Sequence, residues 1–277
     1  MRIVLYGNGN YLTYRRYLLP ENAEIIAYID SDERKTTRNT GEYYEGIPIL
    51  SPDDLNGLDY DFLFICADFG LAYTIFDGLK KYSIDPKKIR FLRREEPTLY
   101  PVGGGKWNYT VNDDWTILSS FGEIRILERG GTDNVTVSEV FGNNTYHIAL
   151  KPETVVVDMG MNIGAASLYF AGQDSVSHVY AFEPFPDTFK RAMENLNLNT
   201  NEITKKISAF QVAVSDYEGE QKVSISKDGM GWRSLYDHSE KTPEVTVKCQ
   251  KASVIMNKIF AENPGKRVVL KIDTEGS

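Results

Sequence analysis

Thr154-Val-Val-Val-Asp-Met-Gly-Met-Asn-Ile-Gly164 is the stretch that decides the reading of this chain. Three consecutive β-branched valines with no polar alternation predict a strand buried on both faces, as in a parallel sheet. The strand runs into Asp158 and a glycine-rich turn, and residues 165–170 have helical composition. A strand, a glycine turn and a helix in that order let a ligand approach the backbone, because glycine has no side chain in the way.

Working outward, His178-Val-Tyr-Ala-Phe182 predicts a second strand, ending at Glu183-Pro184. A helix is expected over 186–198, a third strand over 209–214 and a fourth over 267–272, ending at Asp273. Between them, 222–225 and 245–249 are expected to pair as a hairpin flanking a polar insertion, which carries Trp232, Arg233, Tyr236 and His238. Its aromatic and basic composition suits either a solvated surface loop or one that recognises a sugar or carboxylate acceptor.

A glycine turn alone does not separate a dinucleotide site from one for S-adenosylmethionine. The charge of Asp158 does. A dinucleotide brings a doubly negative pyrophosphate to this loop, whereas S-adenosylmethionine brings a sulfonium and an ammonium, which a nearby carboxylate favours. Glu183, 19 residues beyond Gly164 at the end of the second strand, stands where an acidic side chain accepts both ribose hydroxyls.

Five stretches then agree in order and spacing with one family: Val156-Val-Asp-Met-Gly-Met-Asn-Ile-Gly164, Val179-Tyr-Ala-Phe-Glu-Pro184, Asn195-Leu-Asn-Leu-Asn199, Ala213-Val-Ser-Asp216 and Lys271-Ile-Asp-Thr-Glu-Gly276. Residues 132–277 resemble the FkbM methyltransferases. The resemblance implies O-methylation of a hydroxyl on a sugar, a glycan precursor or a natural product, with S-adenosylmethionine as cofactor. It implies that Asp158, Gly160, Asn162 and Gly164 line the methionine end of the donor, that Glu183 holds the ribose, and that Ala213 and Val214 flank the adenine. Asp273 is expected at the reversal of strand order, placed to orient or deprotonate an acceptor hydroxyl or to bond the donor's amino group. A dedicated base is optional here, since transfer from a sulfonium depends largely on alignment. The alternative is a non-catalytic module that binds nucleotides or partners.

Residues 1–96 repeat the strand–helix alternation. Arg2-Ile-Val-Leu-Tyr6 leads to Gly7-Asn-Gly9-Asn10, and Glu24-Ile-Ile-Ala-Tyr-Ile29 ends at Asp30. Further strands are expected over 61–66 and 88–92, and helices over 11–19 and 71–82. Gly7, Gly9, Asn10 and Asp30 form a partial nucleotide fingerprint that lacks its third glycine. With Gly46-Ile-Pro-Ile-Leu-Ser-Pro52, the segment resembles the small Rossmann-like domains at the N-termini of bacterial sugar-modifying enzymes. Pro97, Pro101 and Gly103-Gly-Gly105 mark a loop-rich junction, where a domain boundary is expected. Strands around Phe121-Gly122 and a helix capped by Asp133 make 97–150 a β-rich adaptor.

The expected architecture is therefore α/β: two Rossmann-like parallel-sheet domains, 1–96 and 151–277, joined by that adaptor. The second is read as a methyltransferase fold cut short. Its fourth strand has the apolar character of an internal strand, so an exposed edge, self-association and little or no turnover are expected.

Composition narrows the partners. A net charge of −8, with 31 Lys and Arg against 39 Asp and Glu, argues against nucleic acid, which needs clustered cations. Cys66 and Cys249 have neither metal-ligand nor disulfide spacing. No metal site is expected. No apolar run reaches the roughly 20 residues needed to span a membrane, and residues 1–7 read as a strand entering a glycine turn, which points to the cytoplasm.

Overall fold

Val155, Val156 and Val157 are completely buried, in a strand flanked on both edges. In this computed structural model, which describes residues 1–95, 107–224 and 244–274, the chain falls into two units. Of the described residues, 1–95, 107–121 and 127–138 belong to the first and 122–126, 139–224 and 244–274 to the second.

The first unit is built on β1 (Arg2–Tyr6), α1 (Asn10–Arg15), β2 (Glu24–Ile29), a short α2 (Thr37–Thr40), β3 (Tyr43–Tyr44), β4 (Ile47–Leu50), β5 (Phe62–Ile65), α3 (Phe69–Leu79) and β6 (Ile89–Phe91). Their sheet order is β3-β4-β2-β1-β5-β6, parallel except for the β3–β4 hairpin. Alternate residues of the strands enter two cores. Val4, Ala27, Leu63 and Ile65 pack with Tyr73, Phe76 and Leu79 of α3, whereas Ile3, Leu5, Tyr28 and Phe64 pack with Leu12 of α1. Burial of both faces is why these strands read as continuous apolar runs. Helix α3 starts at Phe69, earlier than the sequence predicts, because the Asp68 side chain accepts from Leu71 N and caps it.

The same unit contains a polar cluster that the sequence reading did not find. Arg94, 1% exposed, places its guanidinium against both oxygens of Glu128, at 3.0 and 2.5 Å. It also bonds Tyr73 Oη at 2.7 Å and Ser119 Oγ at 2.8 Å, with Cζ 4.0 Å from the Trp107 ring centre. Asn134 and Ser119 donate to Glu128 in turn. Burial opposes the Arg94 charge, and Glu128 and Tyr73 more than offset it, so its pKa is raised. The cluster fastens α3 to the strands β7 (Trp107–Val111) and β8 (Ile117–Phe121), which pair antiparallel, to the end of β9 (Ile124–Glu128) and to α4 (Gly131–Val137). Asp133 does not cap α4 as expected. Gly130 is the cap residue, and Asp133 lies inside the first turn, where it accepts from Arg129 N at 2.7 Å.

In the second unit, β10 (Thr154–Met159), α5 (Ala165–Ala171), β11 (Val176–Phe182), α6 (Pro186–Asn197), a short α7 (Asn201–Thr204), β12 (Ile207–Phe210) and β16 (Val268–Ile272) make a parallel sheet of order β12-β11-β10-β16 with its helices. The expected third strand is two strands in different sheets. Val212 N bonds Phe210 O, a three-residue turn that takes the chain out of the first sheet. β13 (Ala213–Ser215) then joins a second sheet with β14 (Gly219–Ser224) and β15 (Glu244–Lys251), in the order β13-β15-β14. The β14–β15 pair is the antiparallel hairpin that the sequence predicts. Helix α8 (Ala252–Glu262) follows, seating Ile255 and Ile259 under β10. β16 is an edge strand among the described residues, with Leu270 47% and Ile272 64% exposed.

The junction at Pro97 to Gly105 and the insertion bearing Trp232 to His238 lie outside the described residues. Among those described, no helix is long and apolar enough to cross a membrane.

Candidate functional site

Three parallel strands deliver Asp158, Glu183 and Asp273 to their C-terminal ends, where a reversal of strand order opens a crevice in sheets of this kind. Strand β10 sits between β11, reached by a crossover through α5, and β16, which comes from the far end of the chain. The turn after β10 is held at every residue. Gly160 N and Met161 N both donate to Phe182 O, at 3.0 and 2.8 Å. Asn162 N donates to Glu183 Oε2 at 2.9 Å, Asn195 of α6 reaches Ile163 O at 3.0 Å, and Gly164 N bonds Met161 O at 2.9 Å.

Gly160 is required twice over. Its φ of +86° lies in the left-handed region, and a side chain there would overlap the Asp273 carbonyl oxygen. Asn162, at φ +49°, is of a residue type that tolerates this region.

Glu183 is 5% exposed and fixed from both sides, since its Oε1 accepts from Phe185 N at 3.1 Å while Oε2 takes Asn162 N. This is a preset acceptor beside a bare backbone turn.

Asp158 stands differently from the expectation. It is fully buried, with Oδ2 accepting from Ser167 Oγ at 2.6 Å and Oδ1 2.9 Å from Lys271 Nζ. Its charge is therefore compensated within the protein, and the argument that its sign selects a cationic ligand does not hold as stated. Lys271, to which the sequence assigns no role, also donates to Gly160 O at 2.6 Å and so ties β16 to the glycine turn. Nothing local in the sequence signals the pair, because the two residues are 113 positions apart.

Asp273 N bonds Met159 O at 3.0 Å, which places the residue next to the turn with its side chain 66% exposed. Its Oδ2 accepts from Tyr146 Oη at 3.1 Å and lies 3.8 Å from Lys271 Nζ. Burial, with Asp273 second, pushes the Tyr146 phenol pKa up, so it remains a proton donor at neutral pH.

Ala213 and Val214 do not end the third strand. Ala213 is buried with Phe185, Val223, Val247 and Cys249 on the second small sheet. The residue that ends β12 is Phe210, stacked on Phe182 with ring centres 5.2 Å apart and 18° between planes, and 38% exposed. Reading 209–214 as one strand hides it, because Gln211 between Phe210 and Val212 fits the alternation of a continuous strand.

In the first unit, Gly7 N bonds Ile29 O, which brings the glycine turn beside Asp30. Gly7 has φ +102° and packs on the Cys66 carbonyl, whereas open space surrounds Gly9. Asn10 begins a helix of only six residues. Asp30 spends Oδ1 on Asp32 N at 2.9 Å, and its Oδ2 is 3.5 Å from Lys35 Nζ. Among the described residues no group of three or more His, Cys, Asp or Glu is arranged to hold a metal ion.

Comparison with known proteins gives these residues a setting. Residues 158–277 match the model of the methyltransferase FkbM domain, and residues 1–90 match that of the C2185-like N-terminal domain. Two curated proteins are similar. AMB antimetabolite synthetase AmbE of Pseudomonas aeruginosa is 35% identical over 117 residues, covering 40% of this chain and 5% of that protein. Methyltransferase 1 of Beauveria bassiana is 25% identical over 158 residues, covering 50% of this chain and 61% of that protein. The chain thus spans a small part of the first and about three-fifths of the second. Among solved structures, the crystal structure of methyltransferase FkbM from Methylobacillus flagellatus aligns over 100% of this chain and 73% of its own, with 15% identity and a TM-score of 0.32.

Proposed function

Taking residues 158–277 as an FkbM methyltransferase domain, we propose that this protein transfers a methyl group from S-adenosylmethionine to a hydroxyl of a sugar, glycan precursor or natural product. The observation that carries the reading is Glu183, held by two backbone N–H groups at the end of β11 and set against the turn of Gly160 to Gly164. A diol offers two donors, and an anchored carboxylate matches a ribose. When bound, the cofactor supplies an electrophilic methyl group on a sulfonium.

The protein's own residues would bind and align. Gly160, Asn162 and Gly164 present backbone to the methionine end, Glu183 accepts from the ribose, and the exposed ring of Phe210 offers the adenine the flat surface expected of Ala213 and Val214. Asp158 acts indirectly, by holding Lys271 against Gly160 O. For the first unit, Gly7, Gly9, Asn10 and Asp30 remain the proposed nucleotide contact. The exposed Leu270 and Ile272 on β16 remain the proposed surface for self-association.

Glu183→Ala tests the reading. It should weaken binding of S-adenosylmethionine by about 1–3 kcal/mol, the cost of unpairing buried hydrogen-bonded groups, as measured by calorimetry with circular dichroism to confirm the fold. Unchanged affinity would refute Glu183 as the ribose anchor.

A further inference from the structure

Lys271 cancels the charge of Asp158 at 2.9 Å inside the fold, so a cationic ligand must find its counter-charge elsewhere. The open carboxylate beside the glycine turn is Asp273. Its two oxygens are not equivalent: Oδ2 is committed to the Tyr146 hydroxyl and faces Lys271, while among the described residues Oδ1 has no protein partner. Tyr146 is itself fixed, with its ring 5.9 Å from that of Phe170 and Lys271 Nζ 5.8 Å from its centre. Tyr146 precedes the stretch that matches the methyltransferase domain, and its contact with Asp273 joins residues 127 positions apart.

We propose that Tyr146 is a positioning residue, which turns Asp273 so that Oδ1 accepts from the α-ammonium of S-adenosylmethionine. The proposal rests on the methyl-donor reading above. The ammonium is the donor's only primary cation able to give hydrogen bonds, and a carboxylate with one oxygen already fixed meets it at little orientational cost. Asp273 then has a recognition role at the methionine end, and Tyr146 acts through it.

The test compares two ligands on the full chain by calorimetry. S-adenosylhomocysteine carries the ammonium, and 5′-methylthioadenosine lacks the whole amino-acid arm. Asp273→Asn should weaken S-adenosylhomocysteine about 10- to 100-fold and Tyr146→Phe about 5- to 10-fold, as expected for a charged and a neutral hydrogen bond. Binding of 5′-methylthioadenosine should stay within about twofold in both variants, a selectivity that follows from the missing arm. The double variant should be no weaker than Asp273→Asn alone, because Tyr146 works only through that carboxylate. Equal weakening of both ligands, or additive losses in the double variant, would overturn the proposal and leave Tyr146 a packing residue. Failure of the unaltered chain to bind either ligand would refute the methyl-donor reading itself.

Discussion

Glu128→Ala is expected to destabilise the protein by about 3–5 kcal/mol, the usual cost of leaving a buried cation without its partner. Arg94 has no route to water, being 1% exposed and enclosed by Trp107, Tyr73 and Phe91. Deleting the carboxylate removes two charge-assisted bonds from the guanidinium and strands the hydroxyl of Ser119 and the amide of Asn134. Urea denaturation should show this as a lower midpoint for the transition of the first unit. Replacing both partners, Arg94→Met with Glu128→Leu, should recover much of the loss, because apolar groups of similar volume need no desolvation. A loss under about 1 kcal/mol for Glu128→Ala, the scale of an exposed pair, would mean that water reaches the cluster.

Gly160→Ala should be nearly as damaging, and its effect belongs to the donor site. The left-handed φ costs a non-glycine residue about 1–3 kcal/mol, and forcing a methyl group into packed structure costs about 1–3 kcal/mol more. The atom it would strike is the Asp273 carbonyl oxygen, part of backbone and unable to rotate away, so β16 must shift from β10. That shift separates Lys271 from Gly160 O and moves Asp273. The result should be a clear drop in thermal midpoint and a loss of donor affinity greater than about tenfold, more than 1.4 kcal/mol. Gly9→Ala is the control, since φ is not positive there and nothing lies within 4 Å of the added methyl. Retained donor affinity in Gly160→Ala would show that the turn accommodates a side chain and is not the contact surface proposed.

Much of the fold is legible in the sequence, because parallel strands write themselves as valine and isoleucine runs. Val155 to Val157 and Glu24 to Ile29 read directly as strands, and so does Val268 to Ile272, although the structure leaves that one at an exposed edge. What escapes is whatever depends on partners distant along the chain. No periodicity shows that Arg94 meets Glu128, that Lys271 meets Asp158, or that Tyr146 meets Asp273. Local geometry escapes as well: Gln211 in the turn at Phe210 to Val212 fits strand alternation, so the sequence reads as one strand where two sheets divide. The candidate site illustrates both cases. The places of Gly160, Glu183 and Asp273 at strand ends are legible in the sequence, whereas the neutralisation of Asp158 changes what its charge can mean. Helix α8, with Ile255 and Ile259 one turn apart, carried a readable signal that the strand-centred reading passed over.

Calorimetry of the unaltered chain with S-adenosylmethionine, S-adenosylhomocysteine and NAD tests the central claim most directly. The account predicts saturable binding of both sulfur ligands at one site, lost or much weakened in Glu183→Ala, with no competition from NAD. Tight NAD binding that Glu183→Ala abolishes, together with no heat from either sulfur ligand, would contradict it.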